Sequence, residues 1–232
     1  MISVLIPAYN EALRVGETVA TIRAILPNSQ IIVIDDGSQD ETYARAEEAG
    51  ADVVFRQKQK GKGAALKRAF ALSTGKVILL LDADVGGSAR EAEKLLAPVL
   101  KGDADMTIAL LPGSSGSGGG FGLVVGKARS AIRELTGREM QAPLSGQRAV
   151  RREVIEKCGG FAEGWGVEVA LTVRALWKNY RVVEVPTEMT HRVTGRDWKG
   201  IWHRFQQYRS VGKTLSLLER EIPETSSLPA HR

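Results

Sequence analysis

The chain has 232 residues, of which 43% are hydrophobic, 6% aromatic and 25% charged, a composition that suits one folded domain and excludes wholesale disorder. Its net charge is +5, and it contains no run of about 18 uninterrupted apolar residues, so the sequence predicts no membrane-spanning helix. Cys158 is the only cysteine, which excludes an intrachain disulfide and a cysteine-built zinc site.

Strand and helix patterns alternate along the first half of the chain. Short apolar runs predict strands at 2–6, 31–34, 53–55, 77–81 and 106–111. Helices are predicted between them, at about 15–26, 40–50, 63–72 and 88–100. Met1 is followed at once by the first strand rather than by a basic and then apolar leader, so we expect a cytoplasmic protein. This alternation predicts an α/β fold with a Rossmann-like, mostly parallel central sheet and helices on both faces.

The second half of the chain is less regular. Residues 112–122 are rich in glycine and serine and are predicted to form a loop. Further helices are predicted at 123–135, before Lys157 and at about 164–177, with a strand at 181–186. A long helix over about 198–219 is expected to form a helical C-terminal extension, followed by a flexible tail at 221–232. We therefore predict one domain over 1–220, divided into halves at 1–111 and 112–220.

The excess positive charge is concentrated near the C-terminus. Seven basic and two acidic residues lie between Arg192 and Arg220, so this segment accounts for the whole net charge. On a helix, basic residues would flank a sector of five apolar and aromatic side chains: Trp198, Ile201, Trp202, Phe205 and Tyr208. That pattern fits a helix packed on the core, and it also fits peripheral membrane contact through 198–218. No nucleic-acid motif accompanies the charge, so we expect no nucleic-acid partner, and a homo-oligomer is compatible with the sequence.

Polar segments follow three of the predicted strands, at the edge where ligands bind in open α/β sheets. They are Pro7-Ala8-Tyr9-Asn10-Glu11, Asp35-Asp36-Gly37-Ser38 and Asp82-Ala83-Asp84. Two carboxylates such as Asp82 and Asp84 suit Mg²⁺ or Mn²⁺ with diphosphate oxygens as further ligands, and they also suit a solvated turn that caps a helix. The first strand is not followed by GxGxxG, and the chain has no Walker-type motif, which disfavours a dinucleotide-binding Rossmann enzyme.

Together with Gly61-Lys62-Gly63, these segments resemble the nucleotide-sugar half of family 2 glycosyltransferases with the GT-A fold. The resemblance covers about the first 110 residues. It implies that Asp36 pairs with the base, that Asp82 contacts the ribose, and that Asp84 holds the metal ion. The full set of nucleotide-sugar-binding residues that it implies is Pro7, Ala8, Tyr9, Glu11, Asp36, Lys62, Asp82 and Ala83.

Motifs in the second half are similar to those of glucosyl-3-phosphoglycerate synthases. They are Leu144-Ser145-Gly146-Gln147, the segment 161–168 and Thr190-His191-Arg192. The resemblance implies that Glu168 and Asp84 are catalytic, with Glu168 facing the transferred sugar, and that His191 completes the metal site with Asp84. If Glu168 is a base, inversion of the sugar is expected. The resemblance instead implies retention, with Glu168 orienting or stabilising the sugar. Taken alone, Glu168 also fits an acid in the first turn of a helix, and His191 a surface histidine.

The acceptor side departs from that family. The synthases have an arginine after the glycine run and a polar residue after His-Arg, whereas this chain has Phe121 and Val193. Polyprenyl-phosphate sugar synthases are also similar, through Asp82-Ala83-Asp84 and the segment 145–152. We therefore predict a metal-dependent enzyme, with Mg²⁺ or Mn²⁺, that moves a hexose from a nucleoside diphosphate sugar, with UDP-glucose favoured, to a small or phosphorylated acceptor. The alternatives are a polyprenyl-phosphate glycosyltransferase at the inner face of the membrane and a non-catalytic nucleotide-sugar binding protein.

Overall fold

The structure, a computed structural model, describes residues 1–112, 120–162, 164–190 and 212–221, with the backbone alone at 120–123 and 165. Its strands are β1 Ile2–Ala8, β2 Gln30–Asp35, β3 Val53–Arg56, β4 Val77–Leu80, β5 Met106–Leu110, β6 Arg148–Arg151 and β7 Val182–Pro186. Its helices are α1 Val15–Ile25, α2 Thr42–Glu48, α3 Lys62–Leu72, α4 Ala92–Lys101, α5 Gly120–Thr136, α6 Arg152–Lys157, α7 Val167–Trp177 and α8 212–220. Short 3₁₀ helices lie at Gly86–Glu91 and Gly164–Gly166.

The strands form one sheet in the order β3-β2-β1-β4-β6-β5-β7. β6 runs antiparallel to both of its neighbours, and the other pairs are parallel. Alternate strand residues point to opposite faces, so Leu5 and Ile32 enter one core cluster while Val4 and Ile31 enter the other. Helices α3, α5 and α7 contribute to the first cluster, and α1 and α4 to the second. The predicted α/β fold, with helices on both faces of a mostly parallel sheet, is confirmed.

A crevice opens where β1 and β4 separate. The β1–β4 pairing ends at Leu5 and Leu80, whereas the β1–β2 pairing continues to Ala8 and Asp35. Leu5 accepts a hydrogen bond from the Leu81 backbone amide, so Pro7, two residues further on, faces the same side. Its missing N–H is tolerated there because the ladder with β4 has already ended. The order of the strands also reverses at β1, and such a switch point is where open α/β sheets bind ligands.

Several boundaries differ from those predicted. β6 was not predicted at all, because its only apolar residues are Ala149 and Val150 between two arginines. β1 continues through Pro7 to Ala8, and the predicted helix at 88–100 is a 3₁₀ turn followed by α4. α5 begins at Gly120, three residues before the predicted start of this helix at 123.

The C-terminal helix α8 packs on the core. Leu215 and Leu218 are buried in the first cluster, and Thr214 lies against Gly166, where a side chain would collide with it. Glu221, the first residue of the predicted flexible tail, forms a two-bond ion pair with Arg174. Residues 222–232 and the part of the 198–218 segment before 212 lie outside the described residues. Within the described residues, no helix is long and apolar enough to cross a membrane.

Candidate active site

The loops that follow β1 and β2 are joined by side-chain hydrogen bonds. The backbone amide of Asn10 donates to Ser38 Oγ over 2.9 Å, and the backbone amide of Gln39 donates to Asn10 Oδ1 over 2.8 Å. The Glu11 amide donates to Thr42 Oγ1 over 2.8 Å. Asn10 adopts a positive φ of 55°, a conformation that asparagine tolerates better than most residues. The predicted binding residues Tyr9 and Glu11 therefore lie in a loop that these hydrogen bonds hold, and Pro7 and Ala8 lie at the end of β1 that leads into it.

Asp36 anchors the loop that leads into α3. Its carboxylate is buried and accepts hydrogen bonds from Gln57 Nε2 at 2.7 Å and from the amides of Lys60 and Gly61 at 2.9 and 2.8 Å. Tyr9, on the neighbouring loop, is 42% exposed. Asp36 thus holds the start of α3, and with it Lys62, at the edge of the crevice.

Lys62 joins two carboxylates from opposite halves of the chain. Its Nζ lies 2.6 Å from Asp82 Oδ1 and 2.8 Å from Glu168 Oε1. Burial alone would lower the pKa of Lys62, but the charges of Asp82 and Glu168 outweigh it and raise that pKa above its usual value. Lys62 comes from the first turn of α3, Asp82 follows β4, and Glu168 lies in the first turn of α7. The structure therefore brings three of the predicted site residues into one partly buried cluster.

Gly146 and Gln147 complete this cluster. Gln147 Nε2 donates to Asp82 Oδ2 over 3.1 Å. A Cβ on Gly146 would lie 2.5 Å from Lys62 Nζ and 2.8 Å from Asp82 Oδ2, distances that require something to move. Glycine at 146 is what lets the chain pass this close to the ion pair, because any side chain would displace it.

Arg148 connects the loop at 143–146 to the start of α7. Its side chain is fully buried, and it donates to the carbonyl oxygens of Ser145 at 2.8 Å, Pro143 at 3.1 Å and Glu168 at 3.0 Å. It also donates to Thr172 Oγ1 at 2.8 Å. Burial lowers the pKa of Arg148 to about 10, although the negative charges of Glu168 and Glu184 act to raise it. The guanidinium therefore keeps its proton at neutral pH. A buried cation thus fixes the backbone at Glu168.

Asp84 lies in a turn, two residues after Asp82, and is half-buried. Because this segment is a turn and not an extended strand, alternation along a strand does not decide where its two carboxylates point. Ser88, four residues later, accepts a hydrogen bond from the amide of Thr190 at 3.1 Å. His191 itself lies outside the described residues. Among the residues that the structure does describe, no group of three or more His, Cys, Asp and Glu could hold a metal ion by protein ligands alone.

The sequence predicted no role for four residues that contribute to the site. Asn10, Gly146, Gln147 and Arg148 stand inside motifs that carried the resemblance, but no role was predicted for any of them. A glycine between polar residues just before a short strand is a signal for close approach of the backbone, and Gly146 fits it. Gln147 bonds to Asp82, which follows β4, and Arg148 bonds to two residues of α7. No local pattern predicts these distant contacts.

Comparison with known proteins agrees with this geometry. The family model described as Glycosyl transferase family 2 matches residues 3–159. Glucosyl-3-phosphoglycerate synthase of Mycolicibacterium smegmatis is 35% identical over 192 residues, which cover 74% of this chain and 63% of that protein. The chain thus spans less than two thirds of this relative. Polyprenol monophosphomannose synthase of the same organism is 36% identical over 208 residues, which cover 83% of this chain and 78% of that protein.

A solved structure with the same fold is that of glucosyl-3-phosphoglycerate synthase from Mycobacterium tuberculosis in complex with Mn²⁺, UDP-glucose and phosphoglyceric acid. Its TM-score is 0.79 at 27% sequence identity, and the match covers 97% of this chain and 81% of that chain. This likeness confirms the predicted GT-A fold.

Proposed function

The chain belongs to glycosyl transferase family 2, as its motifs predicted, and from that premise we propose that it transfers glucose from UDP-glucose to a phosphorylated acceptor with Mg²⁺ or Mn²⁺ bound. The observation that carries this proposal is the cluster in which Lys62 pairs with both Asp82 and Glu168. This cluster connects two parts of the site. One is the edge of the sheet where a nucleotide would bind, and the other is α7, whose first turn would face the sugar.

The donor would lie across the carboxyl ends of β1, β2 and β4. In this arrangement Asp36 pairs with the base and Asp82 contacts the ribose, as the motifs imply. The remaining donor contacts would come from Pro7, Ala8, Tyr9, Glu11, Lys62 and Ala83. The hydrogen bonds between the two loops support this assignment, because they hold these residues in place before a ligand arrives.

Asp84 and His191 are the proposed metal ligands. Mg²⁺ in nucleotide sites is usually held by one or two carboxylates together with substrate phosphates, so the donor set that Asp84 provides fits this type of ion. The contact between Thr190 and Ser88 supports a role for His191, because it ties the residue before His191 to the 3₁₀ turn that follows Asp84. When bound, the ion would supply positive charge to the leaving diphosphate.

The protein's own groups suit cleavage of the bond between the sugar and the diphosphate. As that bond breaks, the sugar gains positive charge and the diphosphate gains negative charge. In this proposal Lys62 stabilises the diphosphate, and the buried carboxylate of Glu168 stabilises the sugar or accepts the acceptor's proton. Whether the product retains or inverts its configuration distinguishes these two roles of Glu168.

The acceptor is the least constrained part of the proposal. Phosphoglyceric acid occupies the Mycobacterium tuberculosis structure, whereas another relative is a polyprenol monophosphomannose synthase. An acceptor with a phosphate group is common to both activities. An assay with UDP-glucose and either phosphoglyceric acid or polyprenyl phosphate in vesicles separates them, because product would form with only one. Membrane contact through 198–218 stays a prediction, and product with polyprenyl phosphate would favour it.

The metal assignment is tested by calorimetric titration of UDP-glucose with and without Mn²⁺. We expect Mn²⁺ to strengthen UDP-glucose binding to the wild-type protein by about 10-fold or more. In Asp84→Asn, most of this increase in affinity should be lost. Asp103→Asn is the matched control, because Asp103 is exposed and precedes β5 at the opposite edge of the sheet. Equal affinities under all these conditions would contradict the assignment. Donor binding with no transfer and no slow hydrolysis would favour the non-catalytic alternative.

Substitution of Gly146 by alanine is expected to weaken UDP-glucose binding and turnover by about 10- to 100-fold. The added Cβ would fall 2.5 Å from Lys62 Nζ, so either the lysine or the loop must shift away from Asp82. Steady-state kinetics and calorimetry measure the effect. Gly126→Ala is the control, because a Cβ at this position of α5 meets nothing within 4 Å. If Gly146→Ala binds and turns over as the control does, Lys62 and Asp82 do not act as a fixed pair.

A further inference from the structure

Thr18 forms a buried link between α1 and the turn that carries Asp84. It is fully buried on α1, and its hydroxyl donates to the carbonyl oxygen of Ala83 over 2.8 Å. Its hydroxyl oxygen, Oγ1, in turn accepts a hydrogen bond from the backbone amide of Gly86 over 2.8 Å. One side chain therefore bonds to the backbone on both sides of Asp84, at the residue before it and at the second residue after it.

Thr18 satisfies these two backbone groups at a point where the chain makes an irregular turn. Gly86 has a positive φ of 53°, and the carboxylate of Glu17 lies close over it, so the backbone here departs from regular structure. A buried carbonyl and a buried amide both need partners. The hydroxyl of threonine can donate one hydrogen bond and accept others, so it satisfies both groups at once. It also lies 3.2 Å from the carbonyl oxygen of Arg14 in its own helix.

The helix that carries Thr18 is itself fixed. Val15, Val19 and Ile22 of α1 are fully buried in the second core cluster, so the helix has little freedom to move against the sheet. On the far side of Asp84, Ser88 Oγ donates to the carbonyl oxygen of Val85 over 2.6 Å. The turn is therefore held from α1 at two points and from the following 3₁₀ helix at a third.

We infer that Thr18 is a positioning residue that holds the turn at 83–86 so that Asp84 is ready to bind the metal ion and the diphosphate. This inference rests on the proposed function, because it concerns the residue assigned there as a metal ligand. Thr18 is fully buried and its hydroxyl bonds to backbone groups, so it would act through the backbone around Asp84. Groups that orient a metal ligand in this way contribute to metal affinity although they do not bind the metal.

The test compares Thr18→Val with Thr18→Ser. Valine keeps the shape of threonine and removes the hydroxyl, whereas serine keeps the hydroxyl. We expect Thr18→Val to weaken the Mn²⁺-dependent part of UDP binding by about 10- to 100-fold, and Thr18→Ser to restore it to within about threefold of the wild type. UDP binding without metal should change by less than about threefold in both variants, because the loops that contact the base are not touched.

Thr107→Val is the matched control. Thr107 is also fully buried, and its hydroxyl donates to the carbonyl oxygen of Leu95 over 2.8 Å, far from the crevice in the sheet. A general loss of stability from removing a buried hydroxyl would appear in this variant as well. A selective loss of Mn²⁺-dependent UDP binding in Thr18→Val, absent from Thr107→Val, supports positioning. An equal loss in the two variants contradicts it.

Amide hydrogen exchange of the metal-free protein tests the link without any ligand. The amide of Gly86 should be protected in the wild type and exchange at least about 10-fold faster in Thr18→Val. If Gly86 exchanges in the wild type as fast as an exposed amide, the inference is overturned, whether or not the variant folds. If wild-type UDP binding proves independent of Mn²⁺, the proposed function fails, and the role assigned to Thr18 in metal binding fails with it. Exchange at Gly86 would then still decide whether the link itself exists.

Discussion

Replacing Glu168 by glutamine is expected to lower the transfer rate by about 10³-fold and to leave UDP-glucose binding within about threefold of the wild type. Glutamine preserves the size of the side chain and its place in the first turn of α7, but it removes the negative charge that faces Lys62 at 2.8 Å. Under the proposed function, this charge acts on the sugar as its bond to the diphosphate breaks. The loss should therefore fall on kcat, because the charge stabilises the transition state more than the bound donor.

The measurement combines kcat with donor affinity by calorimetry and the anomeric configuration of the product by NMR. Glu93→Gln is the matched control, because Glu93 is exposed and occupies the equivalent position in the first turn of α4. If Glu168 were only an acid that stabilises a helix terminus, both variants would lose about 0.3–1 kcal/mol of stability and little activity. A decrease in kcat smaller than about 10-fold would contradict the catalytic role.

Much of the fold could be predicted because most strands are continuous apolar runs. Ile31 to Ile34 and Val77 to Leu80 are buried strands, as their composition indicates. β6 could not be predicted in this way, since Arg148 is charged and yet fully buried. Its burial depends on acceptors from Pro143 and Glu168, which only the tertiary structure brings together. A prediction from local sequence exposes arginine to solvent. It fails where groups from distant parts of the chain supply the hydrogen-bond acceptors that water would otherwise provide.

The candidate active site, like the fold, could be predicted only in part from the sequence. Lys62, Asp82 and Glu168 could be selected because motifs of a known family carry them, and the structure brings them together. Their family roles stay predictions, as do those of the other donor-binding residues. Thr18 could not be selected, because in the sequence it is a polar residue within an ordinary amphipathic helix. Its importance comes from the two backbone groups that it bonds, and these lie more than sixty residues away in the chain.

Replacing Arg148 by methionine is expected to lower the free energy of unfolding by about 3–5 kcal/mol. The guanidinium donates to three carbonyl oxygens and to Thr172 Oγ1, and methionine would leave these buried acceptors without it. Each buried acceptor left without a partner costs about 1–3 kcal/mol, although relaxation of the loop at 143–146 recovers part of this. Urea unfolding at neutral pH measures the difference.

The sign of this result is informative, because two opposing effects contribute to it. Burial lowers the pKa of Arg148 to about 10, so the folded protein already bears a cost for holding the charge out of water, and methionine removes that cost. We expect the lost hydrogen bonds to outweigh it, since they join the loop to α7 at Glu168. Arg151→Met in the same strand is the control: its side chain is 43% exposed, its pair with Glu153 is at the surface, and the buried Asp105 keeps its bonds to Arg181, so a loss below about 1 kcal/mol is expected. An Arg148→Met variant as stable as the wild type would mean that the loop and α7 hold their positions without the buried cation.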